Sequence, residues 1–356
     1  MRIAIISTYP PKKCGIGIYT KNLVESITKK GHSVEVISFK GYGYGDKYVQ
    51  SLLDKNRFSS YLKAVRYIKE NKFDRVLIQH EHPFYNIFYF PLFVFLLRIA
   101  GKKVNINMHT IPPYNNIFRK IIYVLLNTSV MIFASQIIVH TSLAKEKLES
   151  NTLLKKKVSV IPIPIAQCNA MPKLSEIDRV NLLCFGFVHY DKGFDVACEA
   201  FAGIKRVHLN IVGTIHSDFV KRQTPYFNRI KAYSKKYPNI KVIDRFISED
   251  EKKRLFRESD FVLLPYRFIE QSAVLTDSWA YNKIPICSDI PALKNETEDG
   301  KYGVLFESEN PVDFKKSVLE LMIDKAKQQD ILDNIAMLNK ERSFDAVALR
   351  FVRVLA

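Results

Sequence analysis

The chain has 356 residues, 47% hydrophobic and 25% charged, which suits a folded protein with room for two cores and excludes a disordered chain or a multi-span membrane protein. Its five cysteines, Cys14, Cys168, Cys184, Cys198 and Cys287, are scattered without a C-x-x-C pair, so neither a disulfide framework nor a zinc site is expected and a reducing, cytoplasmic compartment fits. The formal net charge of +18 lies almost wholly in the first half: residues 1–170 hold 25 Lys+Arg against 9 Asp+Glu, and residues 171–356 hold 29 against 27. A basic half suits anionic lipid head groups or nucleic acid, or is simply a lysine-rich solvated surface.

The opening Arg2-Ile3-Ala4-Ile5-Ile6 is too short for the hydrophobic region of a signal peptide and reads as a first buried strand. From there short β-branched runs alternate with longer helical patterns, which predicts parallel sheets with crossover helices. Strands are expected near 2–7, 33–38, 75–79, 103–108, 137–140 and 157–161, with helices near 17–30, 57–71, 85–100, 116–133 and 142–150. Residues 41–45, Gly-Tyr-Gly-Tyr-Gly, read as a loop. Two prolines in Ile161-Pro162-Ile163-Pro164-Ile165 favour an extended connector. A second series follows, with strands near 181–187, 207–212, 240–243, 261–264, 284–287 and 303–306 and helices near 193–203, 217–236, 249–258, 271–282 and 311–326. The expected organisation is therefore a Rossmann-like domain over 1–165, a second over 166–335, and a C-terminal helix over 336–356 that packs back on the first domain.

The run from Phe84 to Leu97 is dense in aromatics but is interrupted by Asn86 and Pro91, with Arg98 following, so it falls short of a spanning helix. With Phe118-Arg119-Lys120-Ile121-Ile122-Tyr123 it combines apolar and cationic groups as a surface-seeking helix does, although core packing would account for it equally. After the first strand, Pro10-Pro11-Lys12-Lys13-Cys14-Gly15-Ile16-Gly17 opens a helix whose free N–H groups form an anion site. The spacing is not G-x-G-x-x-G, and no acidic residue ends the second strand at Ser38-Phe39-Lys40, which disfavours a nicotinamide enzyme. No Asp-x-Asp triplet occurs, and no bound metal or cofactor is expected.

Taken with later segments, this sequence resembles the retaining GT-B glycosyltransferases of family 4. The resemblance is carried by Thr8 to Gly17, Lys30-Gly31-His32-Ser33-Val34, Ile78-Gln79-His80-Glu81 and Asn107-Met108-His109-Thr110 in the first half. In the second half it is carried by Phe185-Gly186-Phe187-Val188-His189-Tyr190-Asp191-Lys192-Gly193, Ile211-Val212-Gly213, Ser259-Asp260 before Phe261-Val262-Leu263-Leu264-Pro265, and Asp299-Gly300 to Gly303. It implies two Rossmann-like α/β domains with parallel sheets facing across a cleft, and transfer of a hexose from a UDP- or GDP-sugar with retention of configuration. The family's G-R turn has Phe187 in place of the arginine, its P-H-G appears as Pro162-Ile163-Pro164, and its E-x7-E motif keeps Glu270 but has Ser278 at the second position with Asp277 one residue early.

Breaking a glycosyl-phosphate bond leaves charge on the diphosphate, so the site needs cations and fixed N–H donors. Lys192 at a helix start, the N–H groups of Ser272, Ala273 and Val274 after Glu270 and Gln271, and a bidentate contact from Arg267 meet that need, with Gly186, Gly193 and Gly213 letting the ligand approach the backbone. The resemblance implies that His109 contacts the transferred sugar and that Glu270 holds the donor, and His80, Glu81 and His82 are candidates to shape the acceptor site. The expected acceptor is lipid-linked or a glycan, met at an anionic inner membrane surface. A transferase acting on nucleic acid and a non-catalytic sugar-nucleotide-binding protein of the same fold are the rival readings.

Overall fold

The computed structural model describes residues 1–11, 14–41, 46–111, 117–150, 158–168, 174–175 and 178–356. Lys12, Lys13, the loop over 42–45 and the side chains of residues 117–120 and 123 therefore lie outside what is described. The chain divides into two compact units, Met1–Ile163 with Phe344–Ala356, and Pro164–Ser343. In chain order the elements of the first are β1 (Arg2–Ile6), α1 (Gly15–Lys29), β2 (Ser33–Phe39), β3 (Val49–Leu53), α2 (Phe58–Glu70), β4 (Arg75–His80), α3 (Tyr89–Ile99), β5 (Lys103–Met108), α4 (Ile117–Phe133), β6 (Gln136–Val139), α5 (Ser142–Ser150) and β7 (Val158–Val160). Those of the second are β8 (Val180–Phe185), α6 (Phe194–Phe201), β9 (Val207–Val212), α7 (Val220–Lys236), β10 (Ile240–Ile243), α8 (Glu249–Glu258), β11 (Phe261–Leu264), α9 (Ala273–Ala280), β12 (Ile284–Ser288), α10 (Pro291–Glu296), β13 (Val304–Phe306), α11 (Pro311–Ile323) and α12 (Lys325–Glu341). The last helix, α13 (Phe344–Leu355), belongs to the first unit.

Both sheets are parallel, with strand orders β3-β2-β1-β4-β5-β6-β7 and β10-β9-β8-β11-β12-β13. Each runs outward from its first strand in one direction, then returns to that strand and runs outward in the other. Each unit is thus a Rossmann-like fold with a topological switch point, between β1 and β4 in one and between β8 and β11 in the other. Central strands such as Ala4 to Ile6 and Phe261 to Leu264 are buried on both faces, which is why they read as continuous apolar runs.

In the first unit one face of the sheet packs on α1 and α13 through Leu23, Ile27, Val347 and Phe351, and the other on α2 and α3 through Tyr61, Ile68, Phe93 and Leu97. The sequence reading missed β3, a short edge strand with three of its five residues only half buried. It also anticipated a single terminal helix over 336–356, whereas α12 ends at Glu341 and α13 starts afresh at Phe344. On α13 the buried Val347, Ala348, Phe351 and Leu355 form one stripe at helical spacing. Replacing Phe351, which is fully buried, by alanine should remove about 3–5 kcal/mol of stability, measured by urea unfolding; a loss below about 1 kcal/mol would show that α13 is not part of the first core.

Candidate functional site

In an open α/β sheet ligands meet the carboxyl ends of the strands at the switch point, so the groups gathered there are the place to start. In the second unit β8 is followed by Gly186 and then by a tight turn through Tyr190–Lys192 into α6. Gly193 has φ 60°, and a Cβ on it would stand 1.8 Å from the carbonyl oxygen of Pro265. Gly213, at φ 148°, would put a Cβ 1.9 Å from the carbonyl oxygen of Gly186. Only glycine allows these three strand-end loops to close on one another.

That closure sets Lys192 on the end of β11. Its Nζ stands 3.8 Å above the ring of Tyr266, and among the described residues no carboxylate lies within salt-bridge distance of it. Burial pushes its pKa down to about 8, with nearby Asp191 resisting. Beside it Ser272 caps α9 by accepting from Leu275 N–H at 3.3 Å, which leaves the N–H groups of Ala273 and Val274 without intrahelical partners. Val274 lies against Gly186 and Pro265 against Gly193, so Gly186, Lys192, Gly193 and the start of α9 come together. Glu270 and Gln271 are partly exposed on the segment leading into α9.

Three candidate residues are engaged within the protein. Arg267 does not present its guanidinium to a ligand: it makes two parallel bonds to Asp195 at 2.9 and 3.0 Å, donates from Nε to Glu309 at 2.7 Å, and lies over the Tyr190 ring. Asp195 also accepts from Tyr226 and Arg229; burial alone would raise its pKa, and Arg267 leads the contacts that hold it below the usual carboxylate range. Arg267 therefore clamps the loop after β11 to α6. Ser278 is fully buried and its hydroxyl donates to the Val274 carbonyl at 2.7 Å. Asp277 is half-buried in an ion pair with Lys252 at 2.8 Å.

Missed by sequence reasoning is a cavity of 170 Å³ beside these glycines, lined by Gly186, Phe187, Gly213, Arg245, Phe246 and Lys252 among others. Phe187, half exposed, meets His216 edge to face at 5.0 Å, and Arg245 is held by both oxygens of Glu251. The available signal was Arg245-Phe246-Ile247 directly after β10, at the same end of the sheet.

In the first unit the corresponding strand ends carry imidazoles and amides, with one carboxylate, Glu81, after β4. Gly17 packs its Cα against the Tyr9 backbone, Gly15 faces open space, and Ile16 is partly exposed. His109, after β5, has Nε2 2.8 Å from the side-chain amide of Gln79 and Nδ1 3.3 Å from Nε2 of His140, and burial lowers its pKa well below the usual value, with His140 adding to the effect. His80 does not face an open site: it is buried beside Phe90 and Tyr85, with ring centroids 4.4 and 5.5 Å away. Glu81 accepts from Thr110 at 3.0 Å. Among the described residues no group of three or more His, Cys, Asp or Glu is placed to hold a metal ion.

Comparison with known proteins agrees with this geometry. Residues 179–324 match the family model of glycosyl transferases group 1. No protein of curated function matches the sequence. Among solved structures, the fold is shared with a glycosyltransferase from Rickettsia africae at 15% identity, TM-score 0.77, covering 99% of this chain and 97% of that one. It is shared with sucrose-phosphate synthase from Thermosynechococcus elongatus at 15% identity, TM-score 0.74, over 99% and 98% of the two chains. It is also shared with HepE of Anabaena in complex with UDP and glucose at 14% identity, TM-score 0.74, over 100% and 99%. The family match lies within the second unit, and the solved structures share the two-domain GT-B fold over nearly the whole chain.

The glycine closures can be tested directly. Gly193→Ala should destabilise the second unit by about 2–4 kcal/mol, whereas Gly15→Ala, with nothing within 4 Å of its Cβ, should stay within about 0.5 kcal/mol of wild type in urea titrations. Equal effects at the two positions would refute the claim that backbone approach fixes this turn.

Proposed function

We propose that this protein is a glycosyltransferase that moves a hexose from a UDP- or GDP-sugar to an acceptor with retention of configuration and without a metal ion. The observation that carries the reading is Lys192, a half-buried cation without a carboxylate partner among the described residues, set beside the open N-terminus of α9. A diphosphate supplies the anion this arrangement lacks, and the charge that develops on it as the glycosyl bond breaks is met by donors already in place. The adjacent cavity, walled by Phe187 and Phe246, suits the planar base of the nucleotide, and Glu270 is assigned to orient the donor sugar. His109 is assigned to the transferred sugar. HepE, with the same fold, is solved with UDP and glucose, in keeping with such a donor.

For the acceptor, a specific observation favours a lipid-linked molecule at an anionic membrane. Helices α3 and α4, which pack on each other, leave Phe88, Leu92, Ile99, Ile121, Ile122 and Leu125 exposed, with Phe88 at 76%. Arg98 and Lys103 are exposed close by. Apolar groups beside cations suit an interfacial surface better than a nucleic acid. No helix among the described residues is long and apolar enough to cross a membrane, so the surface would act from one side.

Lys192→Ala should slow sugar release from the donor by on the order of a hundredfold, with activity unaffected by EDTA; near-normal turnover, or rescue by manganese, would refute the assignment. Because the free ammonium has a pKa of about 8 and only its protonated form pairs with phosphate, UDP should bind about tenfold more weakly at pH 9 than at pH 7 in wild type. That pH dependence should be absent in Lys192→Ala, and a flat wild-type profile would exclude Lys192 from the anion site. In flotation, the full chain should rise with anionic liposomes, stay behind with neutral ones, and be released by salt as screening shortens below about 8 Å. Failure to float at low salt would leave a soluble glycan or a nucleic acid as the acceptor, the latter separated by a DNA mobility shift.

A further inference from the structure

His140, at the carboxyl end of β6, is buried and has no part in the function proposed above. Its Nδ1 lies 2.9 Å from the carbonyl oxygen of Ile161. A carbonyl only accepts, so Nδ1 carries the proton and, in the neutral ring, Nε2 is a lone pair. That lone pair faces Nδ1 of His109 at 3.3 Å, a contact that is a hydrogen bond only if Nδ1 of His109 is protonated. Nε2 of His109 is then an acceptor, 2.8 Å from Oε1 of Gln79, which takes a hydrogen bond from Nδ2 of Asn107 at 2.8 Å; that Nδ2 also lies 3.4 Å from Nε2 of His109.

The orientation of those two amides follows from the same chain. With Gln79 presenting oxygen, two acceptors would meet at His109 unless the histidine pair held an extra proton, a buried charge with no counter-ion among the described residues. With both amides turned end for end, so that Gln79 presents nitrogen and Asn107 oxygen, each link of the chain from Ile161 to Asn107 joins a donor to an acceptor, and only the longer 3.4 Å approach of Asn107 to His109 lacks a donor. Tyr19, edge-on to both rings at 5.2 and 6.0 Å, walls the pair in.

We infer that His140 is a positioning residue: it fixes the proton of His109 on Nδ1, so that Nε2 is a permanent acceptor, taking a hydrogen bond from Gln79 at rest and from a substrate hydroxyl in exchange. The link to a substrate rests on the proposed function; the tautomer does not.

The test is nitrogen-15 NMR of the full chain labelled at its eight histidines, with His109 assigned by substitution. At neutral pH the wild type should show His109 neutral with the proton on Nδ1. His140→Phe should move it to Nε2, whereas His140→Gln, whose amide donates to Ile161 and accepts from His109, should keep it on Nδ1. A wild-type His109 protonated on Nε2 or on both nitrogens, or a tautomer indifferent to His140→Phe, overturns the inference, and the wild-type spectrum decides even if a variant fails to fold. Sugar release should fall on the order of tenfold in His140→Phe at unchanged donor KM and return in His140→Gln. An expected tautomer shift with unchanged turnover overturns the positioning role. Absence of turnover in wild type instead refutes the proposed function and leaves the tautomer result standing.

Discussion

A parallel strand covered by helices on both faces has nowhere to meet a ligand except its end. In both units the middle strands are sealed in this way, and their helices return across the faces of the sheet. Polar groups that would be costly within the sheet collect where the strands run out, and the reversal of strand order parts the connecting loops at one place. The position of each candidate site follows from that constraint before any side chain is considered. What remains to the sequence is the chemistry placed there.

In the second unit that chemistry depends on which charges are already satisfied. Asp195 takes Arg267 and Arg229, and Arg267 is further bound by Glu309 and the Tyr190 carbonyl. An arginine so engaged holds a loop in place and has no pair of N–H groups left for a bidentate phosphate contact. Lys192 stands a few residues from Asp195 in sequence yet rests on the face of Tyr266. The cation–π contact offsets part of its desolvation without neutralising it. The clamp gives rigidity, and the lysine inside it keeps the unspent charge.

The fold was legible because its signals are local. Apolar runs bounded by turn residues marked nearly all the strands, and the helices between them showed their own period. The exceptions were β3, a half-buried edge strand of five residues, the short α10, most of α12, and the break between α12 and α13, where Arg342 and Ser343 carry no proline or glycine to announce it. Within the site, Gly193 was legible because backbone closure needs glycine there, and Lys192 because it stands at the start of a helix after a strand. The role of Arg267 was not, since its partner Asp195 is 72 positions away and nothing nearby in sequence predicts the pair. His140 was missed because one histidine after a strand is as often packing as function, and its meaning comes from Ile161 and His109, brought to it by β7 and β5.

The two units also differ in what their strand ends can recognise, and the difference is electrostatic. At the end of β5 the groups are imidazoles kept neutral by burial and a pair of amides, which can exchange hydrogen bonds with hydroxyls but cannot compensate a full negative charge. The first unit's positive charge lies elsewhere, in part on exposed residues such as Arg98 and Lys103 near the apolar surface of α3 and α4. At the end of β8 a cation and free N–H groups suit a diphosphate. An exchange of a sugar between a phosphate and a hydroxyl needs both environments, because a site cationic enough to hold the diphosphate would be a poor partner for a neutral alcohol. Placing them on separate units lets each keep its own charge state, and under the proposed function the second unit would take the nucleotide.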